Sequence, residues 1–536
     1  MVIKRDISWV RWIVCLGIAG CTVGPDYQQP ERPLPDRWSA AEPGITTTRP
    51  AEVTEWWTVF GDPLMNDLIE RAVRSNLDLK IAAARLCEAR AVRKGAAADF
   101  WPRVEVAGAY ASKGRSWNRR PDKPNDTVGR QFRDSVINEA ADHVWDASLD
   151  PAGFATDVMG DTVGSILTRR NTGNERPRDQ NLFEAGFDAS WELDIFGGVR
   201  RSVEAAEAET AAAGEDYRNV LVTLAFEVAR NYVEARDYQR RIAILLQNIE
   251  MQRKTLDLTR TLSDNGAASE LEVAQARTQL SATSSQLPIL ETSFRHAVHQ
   301  ISLLVAELPD ATLKELDQEA PFPAAPLEIP LGLPSDLLRR RPDIRRSERL
   351  LAAATARIGV ATADLFPRFS LTGSFGSESY DLRSFLDRRS LFWSVGPAVR
   401  WPILDGGRIR ANIEAQGADQ QRALAEYELT VLNAMKEVED ALIAYQNEHT
   451  CYQHLLNAVE ANRQAVSLAN VQYQEGMSDF MVVVDSERTL CKYEDQLVQS
   501  KTQTTLYALA VFKALGGGWE ARTDADGKQA KAVQRK

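Results

Sequence analysis

Residues Ala98–Ser112 read ADFWPRVEVAGAYAS and residues Ala363–Ser377 read ADLFPRFSLTGSFGS. Ala98/Ala363, Asp99/Asp364, Pro102/Pro367, Arg103/Arg368, Gly108/Gly373 and Ser112/Ser377 are identical. A duplication of this kind restricts the fold more than any composition does, because it means two copies of one structural unit. Each copy is Ala-rich and helical in character before its proline and alternating after it. Proline cannot continue a helix and pushes the preceding residue into an extended conformation. Pro102 and Pro367 therefore mark helix-to-strand switches.

The strands beyond these prolines are apolar on one side and polar on the other. Val104, Val106, Gly108 and Tyr110 alternate with Glu105, Ala107, Ala109 and Ala111; Phe369, Leu371 and Phe375 alternate with Ser370, Thr372 and Ser374. Each strand has a companion. Phe183, Ala185, Phe187, Ala189, Trp191 and Leu193 oppose Glu184, Gly186, Asp188, Ser190, Glu192 and Asp194. Trp393, Val395, Val399, Trp401 and Ile403 oppose Ser394, Gly396, Ala398, Arg400 and Pro402. Runs of about ten residues with this alternation and aromatics near their ends fit transmembrane β-strands, although a half-buried soluble sheet alternates too.

Long helices after each strand pair separate the two readings. No proline occurs between Arg178 and Leu287, and Ala, Leu, Val and Glu recur at helical spacing from Arg200 to Asn265, a span of about 100 Å at about 1.5 Å per residue. Asp264-Asn265-Gly266 breaks this helix, and a second returns from Glu270 towards Leu308. The second half repeats the plan: a helix leads into strand three, a short turn over 381–390 leads into strand four, and Gly406-Gly407 opens a long helix broken at Glu475-Gly476. Gly198 to Gly407 is 209 residues and Gly266 to Gly476 is 210, whereas Pro102 to Pro367 is 265. The first half thus carries some 55 extra residues between its strands, within 113–180. Four membrane strands cannot close a barrel, and open edges are not tolerated in hydrocarbon, so several protomers must share one barrel with long helices continuing below it. The resulting fold class is mainly α with membrane β, internally duplicated, with four strands per protomer.

The N-terminus carries Lys4, Arg5 and Arg11, then an apolar run, then Ile18-Ala19-Gly20-Cys21. Residues 1–20 read as a secretory leader, and small residues just ahead of Cys21 resemble a bacterial lipobox that makes this cysteine the acylated first residue of the mature chain. The chain has no uninterrupted apolar run of about 20 residues, so no transmembrane helix is expected. Its net charge is −11, and removing the leader's three bases and one acid takes it to −13, which argues against a nucleic-acid partner. Cys87, Cys451 and Cys491 have neither metal-ligand spacing nor an even disulfide framework. The histidine pairs His296/His299 and His449/His454 lack a ligand set, and neither a P-loop nor a dinucleotide fingerprint is present. No metal, cofactor (beyond lipid on Cys21) or catalytic activity is expected.

Residues 21–56 read as a lipid-anchored arm, 57–308 as the first repeat, 309–334 as a Pro-rich crossing, 335–519 as the second repeat and 520–536 as a disordered tail. WW-x-x-F-x-DP (Trp56–Pro63), N-x-DL-x-x-A-x-AR (Asn76–Arg85), LL-x-RRPD (Leu337–Asp343), FPR (Phe366–Arg368), the WELDIFGG and WPILDGG turns and the terminal ALGGGW recur in order along nearly the whole mature chain. Together they resemble the outer-membrane channel lipoproteins of tripartite efflux systems, the TolC-like, NodT-type family. The resemblance implies a homotrimer with a twelve-stranded barrel and a periplasmic α-helical tunnel. It also implies docking to a periplasmic adaptor and, through it, to an inner-membrane pump of the RND type. Residues 113–180 depart from the family, which usually has a shorter surface loop there.

The resemblance gives the helix breaks a role. Asn265, Gly266, Gly476 and Ser478 become the periplasmic tips that meet the adaptor, while the bland alternative is simple turns between antiparallel helices. In such channels a tyrosine just before the second-tip glycine bonds a carboxylate just beyond the first, which points to Tyr473 and Glu272 as a gate. Asp485 matches an inward acidic position that three subunits place around the lumen as a cation-attracting ring. Ser478 departs from members that carry an arginine there. Other classes remain in play: the outer-membrane conduit of a type I protein secretion system, or a secreted coiled-coil scaffold lipoprotein.

Overall fold

A computed structural model describes residues 22–30, 35–40, 46–47, 55–114, 179–318, 320–323, 325 and 329–519. The leader, Cys21, most of the 113–180 insertion and the 520–536 tail lie outside the described residues.

The chain divides into a helical unit and a strand unit, the latter formed by 102–191 and 370–398. The strand unit is a four-stranded sheet. Its strands are β2 (Arg103–Gly114), β3 (Asp179–Leu193), β5 (Arg368–Ser379) and β6 (Leu391–Arg400), in that spatial order. β2 and β3 run antiparallel with Val104 opposite Ala189, Val106 opposite Phe187 and Tyr110 opposite Phe183, so apolar residues meet apolar ones. Glu105 faces Asp188 in the same ladder. Two carboxylates directly opposite repel, and only a well-hydrated face tolerates them cheaply. Val106, Phe375, Trp393 and Val395 stand exposed on the strands, as they must if hydrocarbon is their solvent. β6 ends at Arg400, so Trp401, Pro402 and Ile403 lie beyond the strand expected to contain them; the Trp401 indole N–H instead donates to the Leu365 carbonyl at 3.0 Å.

In the helical unit the stretch before Pro102, which the sequence suggests as one helix from about Pro63 to Asp99, is two, α1 (Pro63–Ser75) and α2 (Leu77–Ala98). Asn76 separates them: its backbone N–H closes α1 on the Ala72 carbonyl, while its side chain caps α2 and reaches a distant helix. Its Oδ1 accepts from Leu79 N at 2.9 Å and its Nδ2 donates to the Leu304 carbonyl at 2.9 Å. The long helices are α3 (Gly198–Asp264) and α9 (Arg408–Gln474), each 67 residues. Their starts are alike: Asp194 accepts from Val199 N and Arg200 N at 3.0 Å, and Asp405 accepts from Gly407 N at 3.0 Å and Ile409 N at 2.8 Å. Those amide donors hold the Asp405 carboxyl below its usual range. The return helix of the first half is also two pieces, α4 (Glu270–Ser284) and α5 (Leu287–Val305), because Pro288 removes an amide donor from the ladder. Between the halves the Pro-rich crossing contains α6 (Pro309–Leu316) and a short β4 (Ile329–Pro330), which pairs in parallel with β1 (Thr46–Thr47) of the arm. Then come α7 (Leu337–Arg340), α8 (Pro342–Ala363) and, after α9, an unbroken α10 (Phe480–Ala514).

The main core joins motifs that are far apart in sequence. Trp56 is fully buried and stacks on Phe512 at 5.8 Å between ring centroids. Asp62 caps α1 through Leu64 N and Met65 N and accepts from the Tyr232 hydroxyl at 2.7 Å. Arg341 bonds Asp343, Glu437 and the Ala514 carbonyl, and the Trp519 ring lies against the guanidinium groups of Arg218 and Arg345. The arm packs on the same unit. Arg201 donates to the Val23 carbonyl at 3.2 Å and to Asp26 at 2.6 Å, and the amides of Ser39 and Ala40 donate to Glu439 at 2.8 and 2.9 Å.

Candidate functional site: the paired helix tips

The two helix breaks are built the same way. Gly266 has φ +77° and Gly476 has φ +71°, a left-handed conformation that glycine adopts without steric cost. In the first tip Gly266 N donates to the Ser263 carbonyl and Ala267 N to the Leu262 carbonyl, at 2.9 and 2.8 Å. In the second, Gly476 N donates to the Tyr473 carbonyl and Met477 N to the Gln472 carbonyl, at 3.0 and 2.8 Å. Both are Schellman caps, which satisfy carbonyls the helix leaves orphaned. Each return helix then opens on a capping side chain: Ser269 accepts from Glu272 N and Asp479 from Met481 N. Asn265 donates to the Thr261 carbonyl at 2.7 Å, keeping it within its own tip. The Ser478 hydroxyl is buried with no partner among the described residues.

These caps bring four helices, α3, α4, α9 and α10, to one small core of Leu256, Ala276, Ala469, Phe480 and Val483. The Tyr473 ring packs on its edge, 5.2 Å from Phe480. Its hydroxyl donates to Glu272 Oε2 at 3.1 Å. The structure therefore brings together the two residues read as a gate, one from each tip. Burial, and then the Glu272 carboxylate, push the Tyr473 phenol up to about 12, since both disfavour a second negative charge there. Asp485 lies on the exposed side of α10 and pairs with Arg488 at 2.6 Å. This neighbour, three residues on, was not part of the sequence reading.

The sequence reading also missed a polar seam behind the tips. The Thr255 hydroxyl donates to Glu487 at 2.9 Å, and Arg241 donates to Asp495 at 2.6 Å. Thr502 donates to the buried Asp237 at 2.6 Å. Burial raises the carboxyls of Asp237 and Glu487 above the usual range. The signal was available: Asn248, Gln252, Thr255 and Thr259 recur on α3 at helical spacing. Among the described residues no group of three or more His, Cys, Asp or Glu is arranged to hold a metal ion, and no helix is long and apolar enough to cross a membrane.

A sequence model of outer membrane efflux proteins matches residues 160–307 and 333–517. The chain belongs to this family. Nodulation protein T of Rhizobium leguminosarum bv. trifolii is 30% identical over 511 residues, covering 94% of this chain and 95% of its own length. The toluene efflux pump outer membrane protein TtgF of Pseudomonas putida is 29% identical over 518 residues, again covering 94% and 95%. Among solved structures, the outer-membrane channel OprN superposes with a TM-score of 0.78 at 33% identity, over 93% of this chain and 100% of its own. The chain is an outer-membrane efflux channel, and its strand unit and paired helix tips belong to one channel fold.

The lipidation candidate of this efflux channel, Cys21, is outside the described residues, but its neighbour is not. Thr22 sits against Gly197, and Val23 N donates to the Phe196 carbonyl at 3.1 Å. The arm therefore begins four residues beyond the end of β3, where the chain turns from strand to long helix.

Proposed function

We propose that this channel works as a homotrimeric exit duct of a tripartite pump, passive itself, anchored by lipid on Cys21 and closed at rest by the Tyr473–Glu272 bond. The observation that carries a barrel shared between copies is the sheet order, which leaves β2 and β6 as unpaired edges; the number three follows the channels this fold matches. Unpaired backbone groups in hydrocarbon cost several kcal/mol each, so β2 of one copy needs β6 of the next. Substrates enter from a periplasmic adaptor that contacts the tips at Asn265, Gly266, Gly476 and Ser478, and an inner-membrane pump of the RND type supplies the energy. Support for these partners comes from the efflux-pump relatives and from two tips of matching geometry offering a repeated docking surface. Thr22, next to Cys21 in sequence, sits against Gly197 at the start of the long helix α3.

The test is edge-to-edge crosslinking in isolated outer membranes. With Cys87, Cys451 and Cys491 replaced by serine and Cys21 kept, cysteines at Val106 on β2 and Val395 on β6 should give a ladder ending at trimer. A ladder ending at dimer, or no crosslink from correctly inserted protein, would overturn the assembly.

A further inference from the structure

Behind the tips, a groove of about 680 Å³ runs along α3 between α9 and α10. Leu246, Met251 and Leu258 of α3 contribute apolar lining, and Asn470 and Gln474 of α9 line it as well. Glu487 also lines it, although the residue is only 2% exposed. Its carboxylate accepts one hydrogen bond, from Thr255 at 2.9 Å, and pairs with no basic side chain among the described residues. The one cation on the lining, Lys254, turns towards Glu250 at 3.9 Å. One turn before Thr255 on the same helix, Gln252 is equally buried and its Oε1 has no partner among the described residues.

The seam thus holds a surplus of acceptors and a buried carboxylate without a counter-charge. A buried carboxylate is costly unless a cation or several donors compensate it. The groove in front of it is large enough for a small molecule and apolar enough to hold a hydrophobic body. We propose that this groove binds an amphiphilic organic cation, with its N–H groups or positive charge at Glu487 and its apolar body against Leu246, Met251 and Leu258. The site is distinct from the Tyr473–Glu272 pair and does not depend on the gating reading. It gives the channel a recognition point for cationic molecules, separate from any selectivity of its pump.

The test uses purified full-length protein in detergent at neutral pH, with ethidium as the cationic probe and its fluorescence as the readout. The parent should bind ethidium saturably, with one dye per chain. Glu487→Gln keeps the Thr255 bond but removes the charge, and should weaken binding at least about tenfold. Met251→Trp should fill the groove and weaken it as much. The exposed Lys254→Gln, which removes a competing positive charge at a position where folding is not at risk, should tighten binding about two- to fivefold. Absence of saturable binding to the parent would overturn the proposal. So would unchanged affinity in Glu487→Gln, or in Lys254→Gln if Glu487→Gln fails to fold. Displacement of ethidium by the neutral dye N-phenyl-1-naphthylamine at equal affinity would show an apolar groove without charge recognition, which also overturns it.

Discussion

Replacing Tyr473 by Phe removes one hydroxyl and leaves the ring against Phe480, where it sits 5.2 Å away. The loss is the donor to Glu272 at 3.1 Å. A hydrogen bond to a charged group contributes about 1.5–3 kcal/mol when buried. Both partners here are half-buried, so solvent screening brings the figure nearer to about 1 kcal/mol per protomer. Acting together in a trimer, the loss is about 3 kcal/mol, which moves a closed–open ratio by about two orders of magnitude. Tyr473→Phe combined with Glu272→Gln should therefore raise single-channel conductance or open probability in planar bilayers, without lowering the melting temperature of the trimer. The phenol offers a second readout. Its raised titration means the bond persists below the ordinary tyrosine value and is lost as pH rises through about 12. Difference absorbance between the parent and Tyr473→Phe should show a late-titrating phenol, and Glu272→Gln should bring that titration down. A double variant that conducts like the parent would refute the gating role, even if the titration behaves as described.

Cys21→Ser should abolish incorporation of labelled palmitate, and labelling that persists would place the anchor elsewhere. Protease added to intact cells should cut between Lys113 and Gln180; cleavage only after outer-membrane disruption would invert the topology. Asp485→Ala should weaken block of conductance by multivalent cations, while Arg488→Ala, by releasing the Asp485 carboxylate from its 2.6 Å partner, should strengthen it. Trp56→Ala should destabilise the helical unit by about 3–5 kcal/mol, read as a fall in melting temperature, because Trp56 is fully buried and stacked on Phe512.

The duplication made much of the fold legible. Pro102 and Pro367 sit between α2 and β2 and between α8 and β5, as helix-stopping residues should. Gly266 and Gly476 fall at the two tips because a Schellman cap needs a left-handed residue, and that need is local. The breaks that were missed are of another kind. Asn76 splits the first helix by bonding across to Leu304, more than 200 residues away, and such a partner leaves no mark on local periodicity. Pro288 did leave one, but a proline in the first turn of a helix can begin a new helix as readily as kink an old one. Trp401 extends the alternation of β6 by one aromatic, yet its indole is drawn to the Leu365 carbonyl and the ladder stops at Arg400.

The site shows the same division between local and distant causes. Tyr473 and Glu272 stand 201 residues apart, and the repeat unites them: each lies within one or two turns of an equivalent glycine, so folding the halves side by side brings them together. The motifs WW, RRPD and GGGW carried no such internal relation. Their meaning emerges only in the packed unit, where Trp56 stacks on Phe512 and Arg341 holds the Ala514 carbonyl at 2.9 Å. These residues close the start of the first repeat against the end of the second. A chain that must present two matching tips needs its halves locked in register at the other end. A one-residue slip there would rotate every side chain on α10 by about 100° relative to α3. Tyr473 would then face away from Glu272, and Glu487 away from Thr255. The packing of the motif cluster and the geometry of the tips are in this sense one requirement, imposed at opposite ends of the same helices.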